Sequence, residues 1–85
     1  MNGVCRRCGK RGFVHVHHVY GGAYRKTSDL FGLTVGLCPK CHEFIHSGNG
    51  TETRRQLQHD VQQEYMDKVG WNVNQWINVF GKSWL

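Results

Sequence analysis

Two Cys-x-x-Cys pairs constrain the fold of this 85-residue chain more than any other feature of its sequence. Cys5 and Cys8 form the first pair, and Cys38 and Cys41 form the second. Pairs with this spacing are typical of tetrahedral zinc sites, in which each pair supplies two thiolates to one ion. Because a chain this short buries too little apolar surface to fold with a wide margin, we expect one structural Zn²⁺ to stabilise it.

Two other uses of the cysteines are open. Two disulfides would also stabilise a small domain, but the sequence begins without the basic stretch and apolar run of a secretory signal, which favours reduced thiols in the cytoplasm. The run from Cys38 to His42 also has the CxxCH pattern of covalent haem attachment. Haem of that kind requires an exported chain and leaves the first cysteine pair without a role, so zinc remains the expectation.

The formal charge of +5 favours a polyanionic partner. Basic residues group around the first cysteine pair, in the middle of the chain and after the histidines, and we take Arg7, Arg25 and Lys26 as candidate nucleic-acid contacts. Double-stranded DNA is the expected partner, although the sequence does not separate DNA from RNA. No apolar run approaches the roughly 18 residues that a membrane span needs, so no membrane partner is expected. No organic cofactor is expected either.

The residue pattern predicts a small α+β domain that occupies the whole chain. A strand is expected over residues 13–20, where β-branched, aromatic and histidine side chains run up to a glycine pair. Residues 23–28 are polar and basic and predict a loop, with Ser28 or Asp29 able to cap a short turn. A second strand is expected over residues 31–37.

Helices are expected in the second half of the chain. Proline suits the first position of a helix, so a helix beginning at Pro39 and reaching Ser47 is predicted. A longer helix is predicted over residues 51–70, capped by one of the threonines at its start and followed by a glycine. Residues 71–80 predict one more short amphipathic helix, packed as a lid on the cysteine-rich half.

Histidines supply a second set of metal-capable side chains. His17 and His18 lie on the first predicted strand, and His42 and His46, four positions apart on a helix, share one face. Because four thiolates already satisfy a zinc ion, we expect these two pairs to converge on a second metal. The alternatives are mixed cysteine and histidine ligation of one zinc ion, or surface histidines. His15 has no evident helical partner and is expected to be a structural or DNA-facing residue.

The pair His17-His18, followed after a spacer by residues 37–46, resembles the HNH endonucleases of the ββα-metal class. The small zinc-stapled members of phages and prophages are the most similar. His42 follows His18 by 24 positions, which matches the spacing from general base to helical metal ligand in that class. The resemblance implies a ββα-metal core, also called a His-Me finger, with a structural zinc knuckle over residues 5–46 and a helical cap over residues 51–85.

The resemblance also implies a function, the hydrolysis of DNA phosphodiester bonds by a metal-dependent endonuclease or nickase acting in a host cytoplasm. His18 would be the general base, while His17, His42 and His46 would hold one catalytic divalent ion. Mn²⁺, Mg²⁺, Ni²⁺ and Zn²⁺ are the candidates, and three imidazoles favour a transition ion over Mg²⁺. In a regular strand His17 and His18 point to opposite faces, and the sequence leaves open which of them is the base.

One position departs from the family pattern. The central asparagine of the family, which orients the general base, falls near Leu33, and leucine has no polar side-chain atom. A backbone carbonyl, Ser28, Asp29 or Thr34 can substitute for it. The departure also keeps open a non-catalytic module that binds zinc and nucleic acid. A third interpretation is a protein-interaction domain that presents its tryptophans, Trp71, Trp76 and Trp84.

Overall fold

Two short two-stranded antiparallel sheets carry all of the β structure in the computed structural model, which describes residues 1–85. β1 (Asn2–Val4) pairs with β2 (Arg11–Phe13), and β3 (His15–His18) pairs with β4 (Thr34–Leu37). Four helices complete a small α+β domain. The predicted fold class is therefore confirmed at the level of α+β structure with a cluster of four cysteines.

The first hairpin was not predicted, and the single strand expected over residues 13–20 is wrong in its bounds. The chain leaves the first sheet at Phe13 and enters the second at His15, with the buried Val14 between them. Val14 packs on the backbone of Gly36, where an added Cβ would lie 2.9 Å from its Cγ2 atom. Strands of three residues are too short to show the alternation of apolar and polar residues by which strands are recognised.

The predicted loop over residues 23–28 is also wrong, because this segment is helical. A 3₁₀ turn (Gly22–Tyr24) leads into α1 (Arg25–Leu30). Ser28 does not cap a turn but is fully buried, where its hydroxyl donates to the carbonyl of Tyr20 at 2.8 Å and accepts from the N–H of Tyr20 at 3.2 Å. These two bonds fix α1 against the end of β3.

The helices predicted in the second half are present, as α2 (Pro39–His46), α3 (Thr51–Val69) and α4 (Val73–Phe80). α2 begins with proline at its first position, and α3 ends at Gly70, whose φ of 73° suits a glycine. The expected threonine cap of α3 is wrong. Gly50 occupies the cap position, so no side chain caps the helix. A residue with a Cβ does not fit there, because the Cβ would overlap the carbonyl oxygen of Phe44.

Two hydrophobic clusters hold the elements together. The larger is aromatic and lies between the second sheet, α3 and α4, and its centre is the stacked pair of Trp76 and Phe80, with ring centroids 4.1 Å apart. The smaller lies under the cysteines and is formed by Val14, Leu37 and Ile45 with two of the thiols. α2 therefore packs one face on the sheets and is fixed at its start by the cysteine-rich hairpin. None of the four helices has the length and apolar character to span a membrane.

Candidate metal centres

The four cysteine thiols form one cluster, with all Sγ atoms within 4.8 Å of one another. The tip of the β1–β2 hairpin supplies Cys5 and Cys8, and the start of α2 supplies Cys38 and Cys41. The Sγ atoms of Cys8 and Cys38 are 3.9 Å apart. A tetrahedral site with Zn–S bonds of about 2.3 Å separates its sulfurs by about 3.8 Å. None of the thiols is joined in a disulfide, and the cluster can hold a structural metal such as zinc.

The surroundings of the cluster favour negative charge on one sulfur. Burial alone raises the pKa of the Cys5 thiol, but hydrogen bonds from the backbone of Cys8, Cys38 and Arg7 outweigh it and lower that pKa to about 6. Burial raises the pKa of the Cys41 thiol to about 11, although the Arg7 guanidinium opposes this rise. Cys5 is therefore a thiol of the cluster whose surroundings favour ionisation, and Cys41 is one whose surroundings oppose it. A bound cation would deprotonate the other three thiols as well.

Arg7 lies against the thiol cluster. Its Nη1 atom is 3.4 Å from the Sγ of Cys41, and its guanidinium stands 4.2 Å from the centroid of the Phe44 ring. Its contacts are therefore with a sulfur and an aromatic face, away from the histidines. The prediction that Arg7 contacts nucleic acid stays a prediction.

A second cluster is formed by three histidines whose nearest ring nitrogens all lie within 4.8 Å of one another. β3 supplies His17, and α2 supplies His42 and His46 from successive turns of one face. The Nε2 atoms of His42 and His46 are 3.2 Å apart, and the ring of His17 lies 5.4 Å and 5.3 Å from theirs between centroids. The structure thus brings together the three residues that the sequence grouped as ligands of a second ion.

The surroundings of His17 fit a metal ion. Its side chain is buried, and its Nε2 is the one buried side-chain polar atom of the protein without a hydrogen-bond partner. Such atoms are rare because an unpaired buried polar group is costly. Burial, reinforced by His42 and His46, lowers the pKa of His17 to about 4, and burial also lowers the pKa of His42. Both imidazoles are neutral at pH 7, which is the form that binds metals.

His15 supports this cluster from outside it. Its Nδ1 lies 3.0 Å from the Nδ1 of His42, so one of the two nitrogens donates and the other accepts. If His42 donates, its Nε2 lone pair faces His46 and is available to a metal. No helical partner for His15 is evident in the sequence, because spacing alone does not show that β3 packs beside α2.

His18 follows His17 on β3, and its ring contacts α1 while it lines the same cavity as His17 and His46. Its Nε2 lies 2.8 Å from Oδ1 of Asp29, a residue of α1. The side chain of His18 is 19% exposed and that of Asp29 is 67% exposed. Leu33, where the resemblance to HNH endonucleases predicts an asparagine, is buried in the larger hydrophobic cluster. Of the four substitutes considered for that asparagine, Asp29 is the one that hydrogen-bonds to the ring of His18.

Both histidines of the pair open on one cavity of about 380 Å³. His46 and two cations, Arg54 and Lys82, line the same cavity. Neither cation was predicted as a site residue, because Arg54 showed only as half of a basic pair and Lys82 lies beyond the last helix without any motif. The predicted contacts Arg25 and Lys26 lie on α1 and do not line this cavity.

Comparison with known proteins gives no further guide, since no protein-family model, curated protein or solved structure matches the chain.

Proposed function

We propose that this protein is a metal-dependent DNA endonuclease or nickase of HNH type, with β3, β4 and α2 as its ββα-metal core. One observation carries the proposal. The Nε2 atom of His17 is buried, has no hydrogen-bond partner and lies beside two helical histidines. His18 lines the same cavity as His17. A site for a cation beside an imidazole that is free to take a proton is the combination that phosphodiester hydrolysis requires.

His17, His42 and His46 would hold the divalent ion. When bound there, the ion supplies positive charge to a phosphate oxygen and to the leaving 3′-oxygen. The three side chains come from two elements that pack directly on each other, so the ligand atoms are held in place before the ion arrives. A site of three imidazoles favours Mn²⁺, Ni²⁺ or Zn²⁺ over Mg²⁺, which prefers oxygen ligands.

His18 is the proposed general base. With its Nε2–H donated to the carboxylate of Asp29, the lone pair on Nδ1 is left to accept a proton from the attacking water. Asp29 takes the orienting role that an asparagine has in the family, which accounts for a leucine at position 33.

Arg54 and Lys82 are proposed to bind the DNA backbone at the cavity. Arg54 is fixed by a 3.2 Å hydrogen bond from its Nη1 to the carbonyl of Ile45, next to His46 in sequence. Lys82 belongs to the C-terminal segment, where its Nζ atom lies 5.1 Å from the centre of the Trp84 ring. A phosphate in this cavity would therefore meet positive charge from α3 and from the C-terminal segment.

The test is the nicking of supercoiled plasmid by zinc-loaded protein, with Mn²⁺, Ni²⁺ or Mg²⁺ added at matched ionic strength. We expect open-circle product that depends on the added ion, with Mg²⁺ less effective than Mn²⁺, and no product from His42→Ala. His59→Ala is the matched control, because this exposed histidine of α3 lies in neither cluster. Equal nicking by His42→Ala and the wild type would exclude the three-histidine site as the catalytic centre.

A second candidate function is a non-catalytic module that binds zinc and nucleic acid. Its supporting observation is a concentration of cations around the thiol cluster, where Arg7, Lys10, Arg11 and Lys40 line one cavity. This function predicts DNA binding by folded protein without nicking in any of the added ions.

A further inference from the structure

A cavity separate from the histidine site lies beside the thiol cluster and has a volume of about 660 Å³. Four cations line it and no carboxylate does. One of the four, Arg7, is already engaged with Cys41 and Phe44. The other three, Lys10, Arg11 and Lys40, are exposed and make no salt bridge. Three of the thiols, Cys8, Cys38 and Cys41, also line the cavity. Because a zinc ion with four thiolates carries a charge of −2, the four cations still leave the cavity with a net positive charge, which suits a polyanion.

Phe13 forms part of the wall of this cavity, and its side chain is 54% exposed. It belongs to neither hydrophobic cluster, so core packing does not explain a phenylalanine at this position. An aromatic ring exposed among lysines and arginines is the arrangement on which proteins stack the bases of single-stranded nucleic acid. In a duplex the face of a base is covered by its neighbours, so such a ring meets a base that has left the stack.

Phe13 is also connected to the histidine site by direct ring contacts. The edge of its ring meets His15 at 5.3 Å between centroids, and His15 meets His42 at 5.1 Å. A strand held in the cavity would therefore lie next to the three-histidine cluster. The ring of His15 thus connects Phe13, in the wall of the cavity, to His42 of the cluster.

We propose that this cavity binds an unpaired nucleotide of a DNA strand, with its base stacked on Phe13 and the adjoining phosphates on Lys10, Arg11 and Lys40. The substrate class of the proposed nuclease is then DNA with a single-stranded or frayed segment beside the cleaved bond. This inference rests on the proposed function for the cleavage step, but the binding step stands on the cavity alone.

The experiment measures binding of a fluorescein-labelled single-stranded oligonucleotide by anisotropy, and of the same sequence as a duplex. The protein receives one equivalent of zinc for the thiol cluster and no other ion, and a gel checks that the oligonucleotides stay intact. We expect Phe13→Ala to weaken single-strand affinity about 5- to 150-fold, since one stacked base contributes about 1–3 kcal/mol. Phe13→Trp should keep the affinity because it keeps a stacking face. Leu30→Ala, at a side chain that is 79% exposed, is the control for loss of an exposed apolar group.

Two results would overturn the inference. One is single-strand affinity that is unchanged in Phe13→Ala, and the other is an equal loss for single strand and duplex in a variant whose circular dichroism matches the wild type. The salt dependence supplies a second test, because Lys40→Gln should reduce the slope of log affinity against log salt by about 0.7 for a single strand. An unchanged slope would contradict a phosphate contact at Lys40.

The outcome is separable from that of the nuclease proposal. His59→Ala, at a residue that lies in neither metal cluster, should bind the single strand as the wild type does, whether or not the wild type cleaves DNA. Phe13-dependent binding by a protein that never nicks plasmid would keep this inference and reject the nuclease. Nicking by a protein whose single-strand affinity does not depend on Phe13 would keep the nuclease and reject this inference.

Discussion

The Nε2 atom of His18 lies 2.8 Å from Oδ1 of Asp29, a hydrogen bond that joins β3 to α1. It fixes the ring of His18 through the nitrogen that points away from the proposed attacking water. α1 is itself held by the buried hydroxyl of Ser28, next to Asp29, through its two bonds to Tyr20. A short polar helix thereby sets the orientation of the proposed general base.

Asp29→Ala should therefore slow nicking while leaving the KM for DNA nearly unchanged, because Asp29 acts through His18 and not on the phosphate. The nicking rate should fall by no more than the contribution of a general base, which is about 10²- to 10⁴-fold. Asp29→Asn keeps an acceptor for the Nε2–H and should retain more activity than Asp29→Ala. Asp67→Ala, at an exposed carboxylate of α3, is the control, and steady-state nicking rates give the comparison. Equal activity of Asp29→Ala and Asp67→Ala would remove Asp29 from the mechanism.

His15→Ala should weaken binding of the second ion about 10- to 100-fold, the usual effect of removing a group that orients a metal-bound histidine. The reason is the 3.0 Å contact between His15 and His42, which holds the ligand ring. Titration with Co²⁺ measures this directly, because thiolate and imidazole sites differ in their absorption. His59→Ala serves as control. Loss of the thiolate-site signal instead would mean that His15 supports the fold and not the ligand.

The stability of the protein should fall in mild acid when the histidine site is free of metal. The pKa of His17 is lowered to about 4 by burial, so between pH 6.5 and pH 4 only the unfolded chain binds a proton at this residue. The unfolding free energy is therefore lost as pH decreases through this window. His17→Phe removes the titration and should show a smaller decrease between pH 7 and pH 5 in urea denaturation. Identical decreases in the two proteins would contradict the buried, neutral state of His17.

Removal of the structural metal should unfold the protein. Zinc ligation in small domains contributes on the order of 10 kcal/mol of apparent folding free energy, and the hydrophobic cluster under the cysteines includes two of the thiols themselves. A chelator, or Cys8→Ser, should abolish the dispersion of the amide NMR spectrum. Persistence of native dispersion in Cys8→Ser without bound zinc would show that the thiol cluster is not a structural metal site.

Gly50→Ala should destabilise the protein by about 1–3 kcal/mol, the usual cost of forcing an atom into a packed site. The added Cβ would overlap the carbonyl of Phe44 and displace α2, which carries two of the clustered histidines. Gly48→Ala is the matched control, since a Cβ there meets nothing within 4 Å. Equal thermal midpoints for the two variants would contradict the close approach at Gly50.

The sequence predicted those parts of the site that are encoded in local spacing. Two residues separate the cysteines within each pair, and His42 and His46 are one helical turn apart. The geometry of each pair can therefore be predicted from a few neighbouring residues. The long helix α3 was found because apolar residues recur along it and Gly70 follows it. The pattern grouped both His17 and His18 with the helical histidines, and the family resemblance singled out His17 of that pair as the ligand.

The remainder depends on contacts between elements, which spacing does not show. α1 is a polar segment whose single buried residue is Ser28, so it has no apolar face to mark it as a helix. The hydrogen bond of Asp29 follows only once α1 is docked on β3. Arg54 and Lys82 meet at one cavity although 28 positions separate them, a distance that no local pattern spans.

In the proposed mechanism, His18 is the general base beside a cluster that binds the catalytic ion. The decisive measurement is the single-turnover rate of plasmid nicking at saturating Mn²⁺ for wild type, His18→Ala and His59→Ala, with Mn²⁺ and DNA affinities measured on the same proteins. We predict that His18→Ala binds the ion and DNA normally but nicks at least about 100-fold more slowly, while His59→Ala equals the wild type. Nicking by His18→Ala at the wild-type rate would contradict the account.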